Sequence, residues 1–202
     1  MNKIAAKLRI LLSRLMLLVF IGLLIFGNHQ IKYDSQISML LDSIGFSLIV
    51  LGGFGRIWSS LYIEGYKTKR LIVDGPYALM RNPLYFFSLL MLFGYCCAIK
   101  SVIIFSVIFP FYLILYIPTI LNEEKVLLNE HNNNYENYYN KTPRFFPNFS
   151  NYSKGDMNLT INLKNINRVL IEVVGFIFFY GMIKILEYLH FNNYISTYIS
   201  LF

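Results

Sequence analysis

The chain has 202 residues, of which 56% are hydrophobic, 17% aromatic and only 14% charged, and its formal net charge is +7. A water-soluble domain carries about one quarter charged residues, so this composition excludes one and makes the bilayer the expected solvent. The positive charge does not indicate a nucleic-acid reader either, because Lys and Arg gather in polar loops between apolar runs rather than along one soluble face.

A hydrocarbon core of about 30 Å takes about 20 apolar helical residues to cross. The first candidate span is 10–27, preceded or opened by Lys3, Lys7, Arg9 and Arg14. It starts as a signal peptide does, but the apolar run is long and no small-x-small cleavage site follows, so a retained anchor is expected. The second span, 37–63, contains Gly45, Gly52, Gly53 and Gly55. Small residues there allow helices to approach closely in lipid, which makes packing the expected role and a ligand contact the alternative. Arg56 is placed to snorkel toward the headgroups, and Asp42 sits near the opposite end, where a charge is less unfavourable than at the midplane.

The third and fourth spans, 84–99 and 102–121, are separated only by Lys100 and Ser101. That predicts an antiparallel helical hairpin whose far ends are neighbours. The fifth span is 169–189, with Lys184 inside it. Cys96 and Cys97 are adjacent within an apolar run, which suits packing rather than a disulfide or zinc. His29, His131 and His190 are scattered without metal-ligand spacing, so no metal is expected. The stretch 122–167 is Asn-rich, and its Asn-x-Ser/Thr triplets carry no glycan if the segment is cytoplasmic.

Fifteen of the eighteen Lys and Arg residues fall on one side, against Lys32 and Lys100 on the other and Lys184 within a span. This asymmetry places the N-terminus and both long loops in the cytoplasm. The expected fold is therefore all-α: a polytopic membrane helical bundle of about five transmembrane helices, forming a single domain over 1–202 with 122–168 as a cytoplasmic segment.

Three polar segments could carry chemistry. In Asp74 to Tyr85, two prolines and a glycine fix a rigid loop before an apolar helix. Pro83 suits the first turn, Asn82 the N-cap, and the helix start offers N–H groups and a positive dipole end to a carboxylate. Glu123 and Glu124 oppose the helix dipole if the fourth span ends there, so either the helix continues or the pair has a cationic partner. Adjacent helical residues point about 100° apart, so only one of them is expected to face the hairpin partner; a solvated helix face is the alternative. In the third segment, Tyr135 and Tyr138 share a helix face. Pro143 to Pro147 follow, suited to lying in the headgroup region.

At these segments the sequence resembles the isoprenylcysteine carboxyl methyltransferases and the related phospholipid N-methyltransferases. Their pattern runs Gly-x-Tyr, Arg-His-Pro-x-Tyr, a Glu-Glu pair, then Tyr-x-x-Tyr and a following Pro. It is matched in order by Gly75, Tyr77, Arg81, Pro83, Tyr85, Glu123, Glu124, Tyr135, Tyr138 and Pro143. The resemblance covers roughly Gly52 to Pro147. Asn82 stands where many members have His; phospholipid N-methyltransferases also show Asn-Pro-x-Tyr here, which weakens the choice of a carboxyl over an amine acceptor.

The resemblance implies S-adenosylmethionine as methyl donor, entering from the cytoplasm, and a lipid or prenylated acceptor arriving through the bilayer. It assigns Tyr77, Arg81, Asn82, Pro83, Tyr85, Glu123 and Glu124 to the cofactor pocket, with Arg81 and Glu124 catalytic. A carboxylate acceptor needs a cation, for which Lys141 and Arg144 are candidates beside Arg81; an amine needs a base, for which a glutamate is the candidate. Two other classes stay open: a nicotinamide-dependent sterol or isoprenoid reductase, and a small transporter or scaffold. Known reductases of that kind are larger, and transporters place ionisable residues near the midplane. The expected location is a bacterial inner membrane, with the site facing the cytoplasm. The last span lies beyond the resemblance, and oligomer contacts are its expected role.

Overall fold

A computed structural model of the chain describes residues 33–63, 70–155 and 163–196, together with 21, 22, 25, 27, 28, 31, 199 and 200. These residues form α1 (Gln36–Ile63), α2 (Pro76–Leu79), α3 (Pro83–Ile99), α4 (Val102–His131), α5 (Asn133–Lys141) and α6 (Leu163–Phe191), with a single 3₁₀ turn at Phe149–Asn151. Two two-residue strands, β1 (Gly27–Asn28) and β2 (Ile199–Ser200), pair in parallel. Apart from this pair and the 3₁₀ turn, the regular structure among the described residues is all α-helical, as expected.

Among the described residues, α1, α4 and α6 from Ile166 onward are long and apolar enough to cross a membrane, and α3 is a shorter apolar helix. Three of the five expected spans thus meet that test. The expected third span, α3, is confined to 17 residues because Pro83 opens it and Lys100 closes it in a left-handed conformation, φ 58°. The expected first span, 10–27, lies outside the described residues apart from a few positions at its end. Ser101 then starts α4, its side chain accepting from the Ile104 N–H at 3.3 Å, an N-cap that satisfies one orphan donor. The two-residue reversal expected from the sequence is therefore present. One boundary differs: α4 runs ten residues past the expected end at 121, so Glu123 and Glu124 sit in mid-helix and the dipole penalty at a helix end does not arise.

Helix α1 packs along α3 and α6. The contact with α3 is a close approach of backbones: a Cβ on Gly45 would stand 2.7 Å from the Gly94 oxygen, one on Gly94 2.7 Å from the Gly45 oxygen, and one on Gly52 2.7 Å from the Phe87 oxygen. Packing accounts for these glycines. Gly45→Val is expected to push the helices apart and destabilise by about 1–3 kcal/mol, the usual penalty of overpacking. A lower melting temperature of the purified protein would register it, with no shift for Gly175→Val, whose Cβ meets nothing within 4 Å.

At the turn end of the bundle, four charges from three elements form one group, in which Lys100 and Glu187 are buried and Asp42 and Lys184 partly exposed. Lys100 Nζ donates to Ser38 Oγ, to the Asp42 carboxylate at 3.1 Å and to Glu187 Oε1. Lys184 Nζ donates to Asp42, Glu187 and the Ala98 oxygen. Two lysines thus balance two carboxylates, which is what allows Lys100 and Glu187 to be buried.

Candidate functional site

The opposite, loop-rich end holds the three polar segments, and the hairpin brings them together. Gly75 adopts φ 60° with the Tyr62 ring against it, so only glycine fits without strain. From this corner, the Gly75 N–H donates to the Ser153 oxygen at 2.7 Å. Arg81 N–H donates to the Pro143 oxygen and Asn148 N–H to the Leu79 oxygen, both at 2.9 Å. These bonds fasten the segment after α5 across α2.

Asn82 holds the N-cap position of α3 but makes no side-chain cap bond. Its Nδ2 instead donates to Glu124 Oε1 at 2.9 Å and to the Arg144 oxygen at 3.2 Å. Asn82 is buried, and a bond to a buried carboxylate is stronger than one between neutral groups. Glu124 also receives Arg144 Nη2 at 3.0 Å and Nε at 3.2 Å, and Arg81 Nε stands 3.6 Å from it, an ion pair beyond hydrogen-bond reach. The Arg81 guanidinium lies over the Tyr139 ring, 3.7 Å from its centroid. Glu123 takes a different direction and accepts from Tyr85 Oη at 2.8 Å. Both acids therefore meet α3, not one as expected, because α3 presents Asn82 and Tyr85 three residues apart around its first turn.

Tyr135 and Tyr138 of α5 are buried with their rings 5.9 Å apart, while Phe146 and Phe149 stay exposed. Burial pushes the Tyr135 phenol up to about 12 and raises that of Tyr138 well above its ordinary value. Both stay neutral, and Tyr138 Oη donates to the Tyr77 oxygen at 2.7 Å.

A cavity of about 720 Å³ opens at this end, within the range of about 300–1,000 Å³ typical of small-molecule sites. Of the residues singled out in the sequence, Tyr77, Arg81, Tyr85, Glu123 and Tyr138 line it. Asn82, Pro83, Glu124, Lys141 and Arg144 do not; Asn82, Glu124 and Arg144 form the bonded cluster behind its wall. Sequence reasoning did not assign Arg56, Arg70, Tyr116, Arg168 and Glu172 to the site, yet they line the cavity. Arg168 and Glu172 carry a signal that could have been read: an i,i+4 ion pair, 3.3 Å, at the start of an apolar helix. Among the described residues no three His, Cys, Asp or Glu side chains gather as metal ligands.

Residues 41–134 match the family model described as phospholipid methyltransferase, a segment that takes in most of α1, all of α2, α3 and α4, and stops before α6. The chain is 30% identical over 170 residues to the cobalt-zinc-cadmium resistance protein CzcN of Cupriavidus metallidurans, covering 84% of this chain and 77% of that one. It is 26% identical over 193 residues to the nickel-cobalt-cadmium resistance protein NccN of Alcaligenes xylosoxydans xylosoxydans, covering 96% and 89%. No solved structure matches.

Proposed function

Because the chain belongs to the membrane methyltransferase family of the phospholipid and isoprenylcysteine carboxyl methyltransferase type, we propose that it transfers a methyl group from S-adenosylmethionine to a lipid or prenylated acceptor. The described helices and the loop segment act as one membrane domain, with the loop-rich end in the cytoplasm. The observation that carries this reading is the cavity at that end, where Arg81, Tyr85 and Glu123 converge from the two arms of the hairpin.

The residues present fit the donor. It bears an ammonium, a carboxylate and a sulfonium, and the cavity offers a carboxylate at Glu123 and a guanidinium at Arg81. The faces of Tyr85 and Tyr116, with centroids 5.4 Å apart, supply a cation–π attraction of about 0.5–2 kcal/mol toward a sulfonium. When bound, S-adenosylmethionine supplies an electrophilic methyl whose C–S bond breaks as an acceptor lone pair attacks, leaving a neutral thioether. The protein's task is alignment, with reacting atoms about 3–3.5 Å apart. Glu123 and Arg81 orient the donor, and Asn82, Pro83 and Glu124 act through them by fixing the start of α3 against α4. A carboxylate acceptor is already nucleophilic; an amine acceptor loses a proton, for which Glu123 is the cavity carboxylate nearest the hairpin residues Arg81 and Tyr85 in the proposed donor site.

Equilibrium binding of radiolabelled S-adenosylmethionine to the purified chain in detergent tests this. Glu123→Gln is expected to weaken binding about tenfold or more, the worth of a bond to a charged group, while leaving the melting temperature near that of the parent. Unchanged affinity would remove Glu123 from the site. Incubating membranes with methyl-labelled donor should label a lipid or prenylated product, and label confined to soluble material would refute the acceptor class.

A further inference from the structure

We propose that the α1–α6 side of this cavity is an anion seat that recognises the methyl acceptor through a carboxylate or phosphate group, and that Glu172 fills the seat until the acceptor arrives. The inference rests on the methyltransferase reading and names the acceptor's charge.

Arg56 lies seven residues inside the end of α1, about 10 Å along the axis at 1.5 Å per residue. Helix α1 is long and apolar enough to cross a membrane, and ionisable residues within such helices are paired and mark functional sites. Arg56 Nη1 donates to Ser88 Oγ and its Nη2 to Glu172 Oε2 at 3.2 Å, while its Nε is buried with no hydrogen-bond partner. Glu172 also receives Arg168 Nε at 3.3 Å. Two guanidiniums from different helices therefore flank one carboxylate. Both separations exceed the 2.7–2.9 Å of a firm charge-assisted bond, so an incoming anion that also satisfies the Arg56 Nε has the stronger claim on the pair.

Charge balance points the same way. Arg56 and Arg168 both meet the single carboxylate of Glu172, an excess of one positive charge on this side of the cavity. S-adenosylmethionine itself is a net monocation at neutral pH, so the donor adds to the excess. The acceptor is the component left to neutralise it. Arg168 and Glu172 belong to α6, outside the matched segment 41–134, which gives that helix a role in acceptor choice.

The test is binding of four probes to the full chain purified in a non-ionic detergent: oleate, dihexanoyl phosphatidic acid, neutral dihexanoylglycerol and inorganic phosphate. Both anionic amphiphiles should bind at least about tenfold more tightly than the neutral one, given the strength of bonds between charged groups. Inorganic phosphate should bind more weakly than either. Arg56→Gln should abolish the preference, whereas Glu172→Gln, which removes the internal competitor, should tighten the anionic probes severalfold. That gain cannot arise from misfolding. Equal affinity for anionic and neutral amphiphiles, no gain in Glu172→Gln, or phosphate binding as tightly as the amphiphiles would each overturn the proposal; the first two would leave Arg56–Glu172 as a structural tie, and the third would make the seat one for a free anion. Donor binding measured on the same samples separates the two readings: if the parent chain binds no S-adenosylmethionine, the methyltransferase reading fails, and if it binds donor without distinguishing the probes, only the anion seat fails.

Discussion

Glu124→Ala is expected to abolish donor binding and to lower the melting temperature together, in contrast to Glu123→Gln, which weakens binding alone. Glu124 is 7% exposed and closes a cluster in which Asn82 and Arg144 donate to it and Arg81 pairs with it. Without it, the Asn82 amide loses its carboxylate and two guanidiniums are left with no anion at the start of α3. Breaking a buried pair destabilises by about 3–5 kcal/mol; the low end applies, since the Arg144 side chain is 44% exposed and can rehydrate. For a chain of this length about 3 kcal/mol corresponds to a fall of roughly 6–12 °C, measurable by thermal unfolding in detergent. Adding Arg144→Leu to Glu124→Ala removes one of the stranded cations and should recover part of that loss. Lost donor binding at an unchanged melting temperature would contradict the positioning role and return Glu124 to direct contact with the cofactor.

The distinction between the twin acids was not legible in the sequence. Both match the family pattern, and a helical wheel separates neighbours by about 100° without saying which of them faces a cavity. The answer depends on Arg144, twenty residues on, whose fork takes Glu124, and on Tyr85, which takes Glu123. The hairpin itself was legible, because two apolar runs separated by Lys100 and Ser101 leave the chain no other course, and from it followed the meeting of Arg81 with the acids. Helix ends were read less well. The continuation of α4 to His131 follows from contacts with α3 and α5 that hydropathy does not record, since 122–131 is polar. Asn82 was read as a cap from its position, but a buried carboxylate within reach was the better partner for its amide. The share of α6 in the cavity was missed for a related reason: Arg168 and Glu172 are ordinary charges at a membrane boundary until Arg56, more than a hundred residues earlier, is seen opposite them.

Lys100→Met should be the most destabilising single change at the turn end, and its partial rescue by Glu187→Gln should identify charge imbalance as the cause. Lys100 is 4% exposed and Glu187 1%, and the ammonium joins Ser38 and Asp42 of α1 to Glu187 of α6. Methionine keeps an unbranched stem and faces the same φ of 58°, so the substitution isolates the loss of charge. Asp42 and Glu187 would then share Lys184 alone, leaving one uncompensated carboxylate among apolar side chains, a loss of about 3–5 kcal/mol. Glu187→Gln in the same chain returns the group to one lysine and one carboxylate and keeps a hydrogen-bonding side chain at 187. The double variant should therefore melt well above Lys100→Met, an interaction of the size expected for residues in one network, about 0.5–3 kcal/mol. The consequence reaches the far end of the bundle, because α6 is tied to α1 by this group at one end and by Glu172 and Arg56 at the other. Loosening the first tie should weaken discrimination among the acceptor probes while donor binding at Glu123 persists. Strictly additive melting shifts in the two single variants and the double would show that the four charges do not act as one group.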